Sequence, residues 1–391
     1  MASKAALAAS TFARETAAPV AVPSRRLLVA SWQSMEAADA RRVWDALATC
    51  AAEPNPFFES WYLLPSLRAL DPRGAVMLLR FECDGELAGL MPLMREAHYY
   101  RWPIPQLRNW VHANCFLGVP LVAAGHEQAF WRALLKWADD NAGLALFLHL
   151  SHLPLDGPLH DALAAVLAEQ GRTAALVHRE DRAMLQSGPT PQDYLEAAVS
   201  ARKRKELRRQ HARLTEMGNL RFERCVDGEG LADWTESFLV LEHSGWKGAA
   251  ASALASHHAT QALFREALAG AAAQGKLERL NLSLDGRPLA MLANFLTPPG
   301  AFSYKTAFDE RYARYSPGVL LQRENLAMLE RAEIRWCDSC AAADHPMIDH
   351  MWRTRRAIGR ISIAIGGPLR RRLFDALARA ELGRNPAGLL R

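Results

Sequence analysis

No apolar run in this 391-residue sequence approaches the roughly 20 residues that a membrane-spanning helix requires. Cysteine is sparse, with six residues scattered along the chain except for Cys337 and Cys340. That spacing argues against a disulfide framework and suits a reducing cytoplasm. It also argues against a structural zinc site. One Cys-x-x-Cys with His345 nearby falls short of four ligands, so no metal is expected and both thiols read as buried. There is no G-x-S-x-G elbow to present a serine nucleophile. The basic stretches have no interleaved aromatics and no nucleic-acid motif, which argues against a nucleic-acid-binding module. The first 24 residues lack the compact apolar core of a signal peptide and show little periodicity. Their Ala, Ser, Thr and Pro content reads as a disordered leader.

What is present is a globular composition. Half the residues are hydrophobic and 23% are charged, in a chain long enough for two domains. The net charge is +5, and part of the excess sits near 202–213 and 353–372.

One stretch, 277–324, organises the rest. Leu280, Leu282 and Leu284 alternate with polar residues, the pattern of a half-buried strand. Asp285-Gly286 suits a two-residue hairpin turn. Leu289 to Phe295 returns as a strand covered on both faces. Phe302 to Lys305 reads as a third strand, and Ser316-Pro317-Gly318 opens a helix. The same order occurs earlier: an apolar strand, Asp84-Gly85, an apolar strand, then Phe116–Val122 as a further strand. The two Asp-Gly pairs lie half the chain apart, which points to a duplicated domain.

Around the first copy, periodicity predicts helices over 33–49 and 58–70 before it and 127–141 and 158–169 after it, with strands over 144–150 and 173–177. Gly188 to Pro191 marks a linker. One long basic helix is expected over 193–218, with Leu207 and Leu214 on its apolar side. Helices follow over 231–245 and 257–274, separated by a Gly245–Gly248 loop. The remaining expectations are a helix over 320–331, a strand over 334–338, a strand-like ISIAI run, and a basic amphipathic tail helix.

The phrases LEHSGWKG (241–248), SYKTAFDERYARYSPGVLL (303–321) and DSCAAADHPMIDHMWRTRR (338–356) resemble the GNAT (acyl-CoA N-acyltransferase) superfamily. Within it they are similar to the acetyltransferase branch that includes the cellulose-biosynthesis protein CelD, a branch related to FemAB-like transferases. The resemblance covers most of 50–360. It implies an α/β fold, with a mixed sheet, of two tandem GNAT-like domains. The expected division is a leader at 1–24, a degenerate first domain at 25–187, a working acyltransferase domain at 188–365 and a basic helical tail at 366–391. It also implies acyl-CoA, in the usual case acetyl-CoA, as co-substrate. The pantetheine arm would lie along a splayed strand near Leu292 and Asn294. The pyrophosphate would sit at the helix start formed by Ser316, Gly318 and Val319. The superfamily's loop carries more glycines than the single one here, and Pro317 removes a donor.

Amine acylation needs a base for the amine and an acid for the departing thiolate. Glu242 is the first candidate base, before the Gly-Trp-Lys-Gly loop, and Asp309 the second. Tyr304 and Tyr315 are candidate acids. Trp246 and Lys247 would wall the acceptor pocket, Lys305 would orient an acidic group, and Asp338 and His345 complete the candidate set. The expected activity is direct acyl transfer to an amine, such as an amino sugar or polysaccharide precursor. Two rivals remain: a FemAB-like transferase using charged tRNA, which is the only route that brings in nucleic acid, and a non-catalytic scaffold in exopolysaccharide assembly. The basic tail offers a peripheral membrane contact.

Overall fold

The computed structural model describes residues 24–343 and 345–383. Residues 1–23 of the expected 1–24 leader, Asp344 and the last residues of the tail lie outside the described residues. The first half runs β1 (Arg25–Ser31), α1 (Ala38–Cys50), α2 (Ser60–Leu70), β2 (Met77–Cys83), β3 (Glu86–Glu96), β4 (Gln106–Asn109), β5 (Leu121–Val122), α3 (Glu127–Asp140), β6 (Phe147–Pro154), α4 (Pro158–Glu169) and β7 (Ala174–Gln186). The second continues with α5 (Pro191–Ala198), α6 (Ala201–Met217), β8 (Leu220–Cys225), α7 (Leu231–His243), α8 (Trp246–Ala249), α9 (His258–Ala273), β9 (Leu277–Leu284), β10 (Arg287–Thr297) and β11 (Gly300–Phe308). It ends with α10 (Pro317–Asn325), β12 (Trp336–Asp338), β13 (Thr354–Ala364) and α11 (Pro368–Leu382).

One sheet takes in the described strands, in the order β1-β2-β3-β4-β6-β13-β7-β12-β11-β10-β9-β8, with β5 beside β3. The order is a repeat. Antiparallel β1-β2-β3-β4 meets β6 in parallel, and antiparallel β8-β9-β10-β11 meets β12 in parallel. The turns repeat as well. Asp84 and Gly85 have φ of 53° and 87°, and Asp285 and Gly286 have 47° and 78°. Asp tolerates that region through its short polar side chain, and Gly has no Cβ to oppose it. Each aspartate also accepts a hydrogen bond from the chain entering the copy's first strand, Ser24 N to Asp84 Oδ1 and Asn219 N to Asp285 Oδ1, both at 2.8 Å. A chance hairpin would not repeat that cap, so duplication accounts for it best.

Helices α2 and α9, one from each half, pack against each other at Gly270. A Cβ there would lie 2.9 Å from the Trp61 Cβ. Trp61, Tyr62, Phe264, Phe295 and Tyr304 share one aromatic core across the halves. Buried Glu59 on the first half pairs with Lys276 on the second.

Several expectations need correction. Strand β9 is not half-buried, because Glu278, Arg279 and Ser283 are buried along with the leucines. Glu278 can be polar and inside because Arg224, Arg331 and Asn294 all donate to it, at 2.8, 2.6 and 2.8 Å. Buried charge that is paired looks like surface in a hydropathy pattern. The long 193–218 helix is two helices, broken at Val199-Ser200. Ser200 Oγ accepts from Lys203 N at 3.3 Å, and Arg204 Nη1 donates to Val199 O at 2.6 Å, so the break is capped on both sides. Phe116–Val122 is a strand only at Leu121–Val122, and the copy of β11 is β4 instead. The Gly245–Gly248 loop contains the short helix α8. Strand β13, expected with the second domain, inserts between β6 and β7 of the first half. Its apolar alternation would fit either half of the sheet, so local pattern carried no sign of the return.

Candidate active site

Strand β11 pairs with β12 only at Gly300 to Phe302 and then runs on to Phe308 without a strand partner on that edge. On the other edge its register with β10 slips between Ala293 and Asn294, which makes Tyr304 a bulged residue. A bulge re-aims side chains and leaves backbone groups unpaired. The parting of β11 and β12 opens a cleft of about 290 Å³. Its walls come from α7–α8, β11, Phe116 of the first half and the 339–348 segment that follows β12.

Glu242, Trp246, Lys247, Tyr304, Lys305 and His345 all line this cleft, so six residues from three separate stretches converge as a set. Glu242 is buried. Its Oε1 accepts from Lys247 Nζ at 2.9 Å and its Oε2 from Leu254 N at 2.8 Å. Trp246 is 60% exposed at the rim, and Glu310 Oε1 anchors its backbone N–H at 2.7 Å. Lys305 is half-buried, with its Nζ 5.2 Å from the Phe116 ring centre and 5.7 Å from that of Tyr304. Burial, and then the charge of Lys247, push its ammonium down to about 8. Burial and Lys247 also lower His345, whose Nδ1 is buried without a hydrogen-bond partner among the described residues. Tyr304 presents its ring to the cleft, but its hydroxyl meets Tyr62 at 3.1 Å in the core. Burial raises that hydroxyl above the usual phenol range.

The other candidates lie apart. Asp309 sits in a separate hollow with Tyr312 and Tyr315, forked by Arg311 at 2.6–3.2 Å; that hydrogen bonding, above all, lowers its carboxyl. Tyr315 stacks beneath Arg314 in the same hollow. Leu292 and Asn294 are fully buried, and Asn294 Nδ2 donates to Glu278 Oε2 and Asn325 Oδ1, each at 2.8 Å. Asp338 is buried behind the cleft. Its Oδ1 accepts from Cys340 N at 2.8 Å and its Oδ2 lies 3.6 Å from Arg182 Nη1. The two thiols are buried, and desolvation holds both well above the usual cysteine range. Ser316 adopts φ 52° and takes a hydrogen bond from Gln210 of α6 at 3.2 Å. Val319 packs between two core clusters.

Whether an acyl-CoA fits can be tested at two places. The free edge of β11 offers an extended ligand backbone pairing of the kind a strand would make. The start of α10 offers the first-turn N–H groups of Gly318 and Val319. Over that start lies Met347, whose Sδ would be 2.7 Å from a Cβ on Gly318. The first place fits as it stands, and the second fits once Met347 turns aside. Among the described residues no cluster of His, Cys, Asp and Glu is arranged for a metal.

The first half contributes residues that sequence reading missed. Phe116 forms one wall. His112 stacks parallel to Tyr62, with ring centres 6.2 Å apart, and is pushed down to about 3 by burial and then by Lys305. Only the cluster of aromatic and polar residues at 110–116 hinted at them.

Residues 201–346 match the family model described as an acetyltransferase (GNAT) domain. The overall structure is similar to the crystal structure of FemX, with a TM-score of 0.54 at 11% identity over 86% of this chain and 98% of the other. It is equally similar to a conserved protein of unknown function from Bacteroides thetaiotaomicron, with a TM-score of 0.54 at 11% identity over 83% and 97%. The second half thus contains a region that matches the GNAT domain model, and the fold as a whole is similar to that of FemX. No curated protein matches this chain. The matched region runs from α6 into the 339–346 segment, so it contains the side of the cleft built from the second half. No helix among the described residues is long and apolar enough to cross a membrane.

Proposed function

We propose that this chain is an N-acyltransferase that moves an acyl group from acyl-CoA to an amine. The observation that carries the reading is the parting of β11 from β12 after Phe302, at the point where Glu242, Lys247, Lys305 and His345 gather. The acyl-CoA supplies an activated thioester, and the chain's residues supply orientation and proton handling. Lys305, near 8 and with no hydrogen-bond partner among the described residues, suits a base that works close to neutral pH. It takes the proton lost by the attacking amine and returns it to the departing sulfur, so no proton is gained or lost overall. Both oxygens of Glu242 already accept hydrogen bonds, so it holds Lys247 and the α8 turn in place. Trp246 at the rim gives an acceptor ring, such as an amino sugar, a surface to rest on.

The test combines titration with acetyl-CoA and a thiol-release assay over a panel of amine acceptors. One-to-one binding that Gly318→Arg abolishes, with release that depends on Lys305, supports the reading. A folded chain that binds no acyl-CoA overturns it.

A second reading, a charged-tRNA-dependent transferase, draws on one observation. Helix α6 holds Ser316 through Gln210 and exposes Arg202, Lys205, Arg208, Arg209 and Arg213 beside it. Retention of aminoacyl-tRNA by a chain that ignores acetyl-CoA would favour that reading.

A further inference from the structure

The first half contains a second cavity, of about 480 Å³, on the sheet face next to α11. It shares no lining residue with the acyl cleft. Its floor is made by β4, β6 and β13, and its rim by the 96–100 turn. We propose that it is a binding site for a small ligand held through a phosphoryl or carboxylate group.

Charge and unmet hydrogen bonding carry the inference. Arg108 on β4 and Arg360 on β13 both line the cavity, with His149 and His152 between them on β6. The single carboxylate on its lining, Glu96, stays 3.7 Å from Arg108. Arg360 has a neutral partner, Tyr100, whose hydroxyl accepts from its Nη1 at 3.2 Å. Two guanidinium groups on separate strands therefore face one cavity with a single carboxylate, Glu96, for the two. Several of its polar atoms are buried and unpartnered among the described residues: Arg108 Nε, His152 Nδ1 and Gln106 Oε1. Leaving such a group buried without a partner is costly, so a structural role alone does not explain the arrangement. Guanidinium forks match the oxygens of phosphate and carboxylate.

The backbone is shaped for it. Strand β6 turns at His152, which has φ 55°, and its register with β13 slips between Gly359 and Ile361, next to Arg360. That slip brings His152 and Arg360 to the same cavity. The arginine field is felt there. Both histidines are lowered mainly by burial, His149 to about 3 with Arg360 and Arg108 adding, and His152 to about 4 with Arg182 and Arg360 adding. An oxyanion entering the cavity would meet two guanidinium groups, only one of them paired with a carboxylate, and neutral imidazoles. Tyr99, fixed by its hydrogen bond to Glu381 Oε1 at 2.7 Å, and Tyr100 give the uncharged part of the ligand an aromatic side.

The experiment is calorimetric titration of the full chain with inorganic phosphate, and separately with acetate, at constant ionic strength so that screening is not read as binding. The variants are Arg108→Gln, Arg360→Gln and, as a control in the acyl cleft, Lys305→Gln. The expected result is saturable binding of one probe, weakened about tenfold or more in each arginine variant and unchanged in Lys305→Gln. Phosphate binding identifies a phosphoryl ligand and acetate binding a carboxylate. If Arg360→Gln does not fold, Arg108→Gln decides alone. Absence of saturable binding by either probe overturns the proposal, as does binding that survives the arginine substitutions or disappears in Lys305→Gln.

Discussion

The hydroxyl of Tyr62, on the first half, lies 3.1 Å from the hydroxyl of Tyr304, on the bulged strand of the second. Tyr62 also donates to Asn114 O at 2.5 Å, so Tyr304 is the donor between the two phenols. The pair ties the cleft wall to the other repeat. Tyr304→Phe removes one hydrogen bond and should cost about 1 kcal/mol. Tyr62→Phe removes both and strands a buried carbonyl, so it should cost about 2 kcal/mol or more. Urea midpoints compare the two. Equal losses would show that Tyr62 does not bridge.

Lys305 gives a pH prediction with a definite sign. Its folded value, about 8, lies below the ordinary 10.5. Below about 8 both folded and unfolded chains hold the proton, so the cost of burying the charge is fully present. Between about 8 and 10.5 the unfolded chain holds a proton the folded chain has lost, so this group makes stability rise with pH. Lys305→Met should raise the Tm at pH 7 and abolish that rise. The same variant should lose the increase in transfer rate through about pH 8, with kcat down about 10²–10⁴-fold. An unchanged rate profile would remove Lys305 from proton transfer.

Arg182 on β7 joins the halves behind the cleft. It donates to Phe116 O at 2.6 Å and to Glu180 Oε1 at 2.9 Å, and it stands 3.6 Å from buried Asp338. Arg182→Met leaves that carboxylate inside without its cation, a change worth about 3–5 kcal/mol. Asp338→Asn keeps the Cys340 hydrogen bond and should cost less. Denaturant unfolding measures both. If Arg182→Met costs under about 1 kcal/mol, the pair behaves as an exposed one would.

What the sequence made legible was local. The two Asp-Gly turns, the strands flanking them and the helix start at Pro317 depend on neighbouring residues, and each is where the pattern put it. The parts that escaped are non-local. Glu278 reads as surface until Arg224 and Arg331 arrive from 54 and 53 positions away. Phe116 lines the cleft and His112 stacks on Tyr62, whose hydroxyl meets that of Tyr304 from the other half, a contact between residues 242 apart. The convergence of Glu242, Lys247, Lys305 and His345 was legible as a list, since each stretch resembled the same family. The departure of Asp309 was not, because the Arg311 fork that holds it apart is two residues along and looks like any surface pair.

The start of α10 gives the last prediction. Gly318 is buried, and the space a side chain would take there is held by Met347. A thioether on a flexible side chain moves cheaply. If acyl-CoA phosphates seat on the first turn of α10, Met347 must swing aside, and shortening it removes that step. Met347→Ala should therefore lower the Kd for acetyl-CoA by a few-fold, on the order of 1 kcal/mol or less. Gly318→Val should raise it by tenfold or more, because the branched side chain covers the N–H groups and presses on Phe308 as well as Met347. Titration of both variants, with melting curves to confirm folding, separates the outcomes. If Met347→Ala weakens binding, the thioether is part of the donor site, and the phosphates lie elsewhere along the β11 edge.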